Sequence, residues 1–287
     1  MRKFWCFVLM FLSCAAFAQR SEDFSAVAKS LGRAGKLDNG VYKVTFPRTD
    51  LKVHIKATAV EPGAGLGSWM AFRRTGNGKA VADGDLVLTS DEVNPVLSAL
   101  QTGGLEVSGI HNHLIGEEPQ VMYVHFFGKG ELGSLAEILK TALAKTKTPT
   151  GPSAPPSSQS FAQQKVIEQA LGKSGTVNGK VLAFSFPRAS AISMHHETLP
   201  PGMGMATAIN FQSSAQGVAA TGDFVLLEKE VNPVIKSLRQ DGITVTAAHN
   251  HLLDDEPRMV FVHFWAEGTA EKVAAGLRHA LDTVGGK

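Results

Sequence analysis

Apolar positions along this chain alternate with polar ones in short runs, then recur at helical spacing, and the whole pattern is played twice. Period-two stretches predict strands at residues 41–47, 51–59, 68–74 and 85–89. A helix follows at 91–102, then strands at 105–113 and 121–127 and a closing helix at 131–145. Short helices in "SEDFSAVAKSLG" and "SFAQQKVIEQALG" precede the two copies. The dipeptides Asn94-Pro95 and Asn232-Pro233 suit an N-cap followed by a first helical residue, because Asn accepts from orphan amides and Pro has no N–H to leave unpaired. Gly103-Gly104 and Gly242 stop that helix. The fold class expected is α+β, a tandem duplication of an antiparallel-sheet unit with helices packed on one face.

The duplication is visible in the letters. "GDLVLTSDEVNPVLSAL" from Gly84 matches "GDFVLLEKEVNPVIKSL" from Gly222, and "HNHLIGEEPQVMYVHFFGKG" from His111 matches "HNHLLDDEPRMVFVHFWAEG" from His249. "FPR" at Phe46 and Phe186, and the glycine-rich "EPGAGLGSW" and "LPPGMGMAT", extend the match. Between the copies, "KTKTPTGPSAPPSSQS" has the composition of a semi-extended linker, because Pro, Ser, Thr and Gly cannot fill a core. The expected organisation is a signal peptide at 1–18, a first repeat domain at 19–146, a linker at 147–160 and a second repeat domain at 161–287.

The N-terminal "MRKFWCFVLMFLSCAAFAQR" has two cations, an apolar run too short to span a bilayer and a small-x-small cleavage pattern at Ala16-Phe17-Ala18. It reads as a secretory signal, so the protein is expected in the periplasm or secreted, with no transmembrane anchor after cleavage. A lipid anchor at Cys14 is the competing reading, but Phe11-Leu12-Ser13 makes a poor lipobox. Both cysteines, Cys6 and Cys14, fall in this segment, which leaves the mature chain without disulfides, thiolate ligands or a cysteine nucleophile. Losing Arg2 and Lys3 brings 28 cations down to 26 against 26 anions. No nucleic-acid partner is expected from so balanced a charge; a small-molecule or cell-envelope ligand fits better.

Six of the ten histidines lie in the two HNHL regions. At the end of a strand, side chains two apart share a face, so His111 and His113 can converge on one ion while Asn112 points away. The strand "QVMYVHFF" returns His125 to them, and His249, His251 and His263 repeat the arrangement. Three imidazoles leave one position of a tetrahedral ion open to water or ligand. Imidazole with a nearby carboxylate suits Zn(II), Cu(II), Ni(II) or Fe(II), with zinc the first choice as cofactor. Glu118 and Glu256, ahead of Pro119 and Pro257, are candidates for a general base on metal-bound water, a fourth ligand or a partner orienting a histidine, set against plain turn residues. Structural, hydrogen-bonded histidines in a non-catalytic envelope module are the alternative to a metal-dependent hydrolase of a small envelope substrate. Contiguous H-N-H differs from the dispersed residues of HNH nucleases, and the upstream helix does not belong in a cupin jelly roll. His54, His195-His196-Glu197 and the glycine loops are read as surface residues and turns, Trp69 and Trp265 as core or pocket-wall aromatics.

The segments "GDLVLTSDEVNPV", "GIHNHLIGEEPQVMYVHF" and "AAHNHLLDDEPRMVFVHFWAEG" resemble those of the LppY/LpqO family, exported bacterial proteins built around a repeated domain of unknown function. The resemblance runs from about Tyr42 to Leu281. It implies export and duplication and carries no activity with it; the family takes its name from lipoproteins, and the poor lipobox here does not extend that property to this chain.

Overall fold

The computed structural model describes residues 23–152 and 160–285. The expected signal segment with Cys6 and Cys14, and part of the expected linker, lie outside them. Each half contains a six-stranded, wholly antiparallel sheet. In the first half its order is Lys36–Asp38, Val41–Pro47, Gly67–Gly76, Lys79–Leu88, Met122–Glu131 and Glu106–His111, and the second half repeats this order from Thr176–Asn178 to Thr244–His249.

Alternation along the strands assigns the two faces. Val44, Phe46, Met70, Phe72, Leu86, Val124 and Phe126 point to one side and pack under helices Ser25–Leu31, Ser90–Thr102 and Leu132–Leu143, through Val27, Val96, Leu100, Leu135 and Leu139. The equivalent core of the second half uses Phe184, Phe211, Phe224 and Phe264 under helices Gln164–Leu171, Glu228–Gln240 and Ala270–Asp282. Full burial of each such side chain contributes about 1.5–3 kcal/mol.

The opposite faces of the two sheets meet each other. Val41, Ala71, Val81 and Phe127 pack with Met194, Met203, Leu252, Met259 and Phe261 of the second half, and Val87, Leu114 and Tyr123 pack with Ala219 and Trp265. Strand Lys79–Leu88 is consequently buried on both faces, which is why it runs well beyond the expected 85–89. His195 bridges the halves at their rim, its Nε2 at 2.9 Å from Glu106 and its Nδ1 at 3.1 Å from Asp254.

Two local expectations are corrected. The strand expected at 51–59 is two short pieces, His54–Ile55 and Thr58–Ala59, folded back at Lys56 with φ 53°, and paired to Glu117–Glu118 in a three-stranded lobe. The helix start is not at Asn94-Pro95. It lies at Ser90, where the Glu92 carboxylate accepts from the Thr89 N–H at 3.0 Å, and Glu230 does the same for Leu227 at 2.7 Å. Pro95 and Pro233 sit inside their helices. The same two glutamates hold the arginines of the "FPR" motifs: Arg48, fully buried, donates to Glu92 at 2.7 Å and to the Val87 carbonyl at 2.6 Å, and Arg188 donates to Glu230 at 2.8 Å and to Val225 at 2.9 Å. Residues 147–151 run against the first half, where Arg33 donates to the carbonyls of Gly151 and Pro149.

Candidate metal centre

The histidines are placed by strand register on the faces where the halves meet. Asp85 stands opposite His125 on the neighbouring strand, and Asp223 opposite His263. Strand Glu106–His111 slips by one residue at Ser108, so that Gly109 faces His125 and His111 faces Tyr123. The slip keeps His111 and His125 on one side of the sheet. A matching slip at Thr246 sets His249 opposite Phe261. His113 and His251 lie just past their strands and stack on Tyr123 and Phe261, each with ring centres 3.6 Å apart. Thr246 Oγ1 donates to the His113 carbonyl at 2.5 Å, tying one histidine loop to the other half's bulge.

All six rings come together across the interface. Within the first half, ring centres of His111, His113 and His125 are 4.8–5.9 Å apart. Those of His249, His251 and His263 are 4.9–5.6 Å apart. Two imidazoles on one tetrahedral ion have ring centres about 5 Å apart and nitrogens about 3.4 Å apart, so each expected triad has the spacing of co-ligands. Between halves the rings stack closer: His111 on His249 at 3.5 Å, His113 on His263 at 3.8 Å and His125 on His251 at 3.8 Å. Each stacked pair must open by about 1 Å before both of its rings reach co-ligand spacing on one ion.

The ligand atoms form two groups that can hold a metal ion, His111, His113, His125 and His251, and His113, His249, His251 and His263, with the atoms of each group within 4.8 Å of one another. Each group is one triad plus a histidine from the other half. The sequence reading gave each repeat a three-histidine site of its own; the fold places the two side by side with His113 and His251 common to both groups.

The Nε2 atoms of all six histidines are buried and have no hydrogen-bond partner. Nδ1 of His111 and of His249 sits 3.4 and 3.3 Å from the Asn112 and Asn250 carbonyls, and the backbone at Gly84 and Gly222 faces the rings of His125 and His263. Backbone oxygens on the Nδ1 side would fix the tautomer that leaves Nε2 free to ligate. Burial lowers the His111 pKa to about 3, helped by the neighbouring His249 imidazole, and burial lowers that of His249 to about 4. Burial and the adjacent rings hold His113, His125, His251 and His263 well below the usual range. The cluster is therefore neutral at physiological pH, the state a cation needs.

Four of the histidines form one wall of a cavity of about 430 Å³ between the halves, which Lys43, Trp69 and Asp85 line from the first half and Asn210, Thr221 and Asp223 from the second. The Lys43 ammonium lies 3.8 Å from the centre of the Trp69 ring. Burial lowers its pKa to about 8 against the pull of Asp83, Asp85 and Asp223, and burial raises Asp83 to about 8 and Asp223 to about 7. Asp85 is pushed well above the usual carboxylate range by burial and by Asp223 and Asp83. Glu118 and Glu256 are exposed on two-residue strands and belong to neither group. Sequence reasoning missed the aspartates, which lie inside strands Lys79–Leu88 and Gly217–Leu227. The glycine loops, read as turns, are a helical turn at Pro62–Gly65 and a 3-10 turn at Pro201–Met203 on the cavity rim.

The family described as Domain of Unknown Function (DUF1259) matches residues 25–145 and again 165–283. No curated protein matches the chain. Among solved structures, EtuB from Clostridium kluyveri is similar at 9% identity and a TM-score of 0.23, covering 86% of this chain and 90% of that one. The trimeric bacterial microcompartment shell protein PduB is similar at 10% identity and a TM-score of 0.22, with 88% and 90% covered. Likeness at those scores carries no argument about fold or function.

Proposed function

The chain belongs to the Domain of Unknown Function (DUF1259) family in both of its halves, and on that premise we propose that it is an exported protein that binds divalent metal, zinc first, through the histidines gathered between its repeats. The observation that carries this reading is the set of six buried Nε2 atoms without a partner. A buried polar atom left unpaired costs about 1–3 kcal/mol, and six in one place are accounted for together if cations occupy it. The LppY/LpqO resemblance and the N-terminal segment support a periplasmic or secreted location, and no helix among the described residues is long and apolar enough to cross a membrane.

The catalytic form of the proposal is a metal-dependent hydrolase of a small envelope substrate held in the adjoining cavity. Any general base from Glu118 or Glu256 would act through water, since both carboxylates are exposed; E118Q and E256Q would then lower turnover while metal is retained. A second reading, a non-catalytic envelope module, is favoured by one observation. Each group contains four histidines, and a four-histidine ion is closed to substrate.

Metal analysis of untagged protein tests the common core. One to two equivalents of zinc or a neighbouring first-row metal are expected, lost in the H113A/H251A double variant with the fold intact by circular dichroism. Absence of metal after purification and after reconstitution would sink it.

A further inference from the structure

We propose that Asp85 is a carboxylate ligand of this centre, joining His125 on the first-half ion, so that the two halves form unequal metal sites. The inference rests on the metal-binding reading above.

Asp85 Oδ1 is buried and has no hydrogen-bond partner, and the same is true of His125 Nε2. The two atoms face each other at 3.9 Å, with Asp85 only 6% and His125 only 3% exposed. That gap is too long for a hydrogen bond. One ion about 2.1 Å from each atom spans it, and a closure of about half an ångström gives this pair tetrahedral spacing; Asp85 lies outside both all-histidine groups, so its side chain must also swing toward the other rings to share their ion. The placement follows from strand register, which sets Asp85 directly opposite His125 on the shared face, and the carboxylate opens onto the same cavity as the rings.

Asp83, Asp85 and Asp223 crowd one region and face the Lys43 ammonium. The second half does not reproduce the contact. Asp223 is in register with His263, but among the described residues no Asp223–His263 approach within 4.0 Å accompanies the one at Asp85. Thr221 stands where the first repeat has Asp83, which leaves the second half with one carboxylate fewer.

A carboxylate also widens the choice of metal. Oxygen ligation alongside imidazole suits Fe(II) and Mn(II) as well as zinc, so the first-half site is expected to hold Mn(II) more tightly than the all-histidine second-half site.

The test uses the full chain stripped of metal and titrated with Zn(II) against a chromophoric chelator, with Co(II) absorption as the coordination readout. D85N is expected to weaken one of two equivalents by about 10- to 100-fold, in the range seen when groups supporting a metal are lost, and to change the Co(II) spectrum. D85E, which keeps the carboxylate, should bind within tenfold of wild type, and D223N within about threefold. H125A is the control on the underlying reading. If H125A loses an equivalent while D85N binds like wild type with an unchanged Co(II) spectrum, Asp85 is not a ligand and the histidine centre stands. If neither variant alters binding, both ideas fall.

Discussion

Acid should weaken metal binding here far less than at a site made of ordinary imidazoles. With a free pKa near 6.5, each histidine is about ten-elevenths protonated at pH 5.5, so each ligand costs a factor of about 11. Three cost about 10³ in affinity, or about 4 kcal/mol, relative to pH 7.5. In this protein burial has already lowered His111 to about 3 and His249 to about 4, with the other four held well below the usual range. At pH 5.5 the rings are still neutral and there is almost no proton for the ion to displace. The exception is Asp85, whose carboxyl burial holds protonated; as a ligand it releases one proton, and the first-half ion then weakens by up to about tenfold per pH unit as pH falls. The second-half ion should be nearly flat. Calorimetric zinc titration of the metal-free protein at pH 5.5, in buffers of differing ionisation enthalpy, counts the protons. Zero to one per ion is expected. A count near three would mean that the apo rings are solvated and charged, and the preformed, buried centre described above would be wrong.

Three further outcomes follow from particular contacts. R48A removes a fully buried guanidinium and strands the Glu92 carboxylate, so denaturant unfolding should register a loss of about 3–5 kcal/mol; a loss under about 1 kcal/mol would show that the pair is solvated. T246V deletes the hydroxyl that holds the His113 carbonyl across the interface and should cost about 1 kcal/mol, with zinc affinity falling alongside, while T246S retains both. H251A leaves the triad His111, His113 and His125 complete, so it should keep one equivalent of Co(II), whereas H113A/H251A leaves only two histidines specific to each group and should keep none.

Much of the fold was legible because it is local. Period-two alternation located Val41–Pro47 to the residue, and the returning strand that carries His125 was found from its own letters. Each histidine triad was legible for the same reason, since its members lie on one strand end and the strand beside it. What was not legible depends on docking between halves. Residues 79–84 include Asp83 and two glycine-adjacent positions that look like a turn in isolation, yet they form strand because the second repeat covers their outer face. The helix cap was misread because Asn-Pro is a common helix start, whereas here buried Glu92 and Glu230 cap one turn earlier while pairing with arginines more than forty residues upstream. Asp85 was invisible as a site residue because nothing local distinguishes a carboxylate aimed at an imidazole from one at a strand entrance.

The interface and the centre are coupled by the arithmetic of lone pairs. A neutral imidazole offers one Nε2 lone pair to one ion, and His113 and His251 belong to both groups. One bound ion can take four histidines, closing its coordination and joining the halves with ligands from each. Two bound ions must divide the six rings into threes, which frees a position on each ion for water, substrate or, on the first-half ion, Asp85. The same apolar face that brings the rings together, with Phe127, Met203 and Phe261 around it, would be exposed in an isolated repeat. A lone repeat would therefore lack both the cover for its sheet and the fourth histidine for its ion. Duplication supplies the two together, and the number of ions bound decides whether the product is a closed structural centre or an open one capable of chemistry.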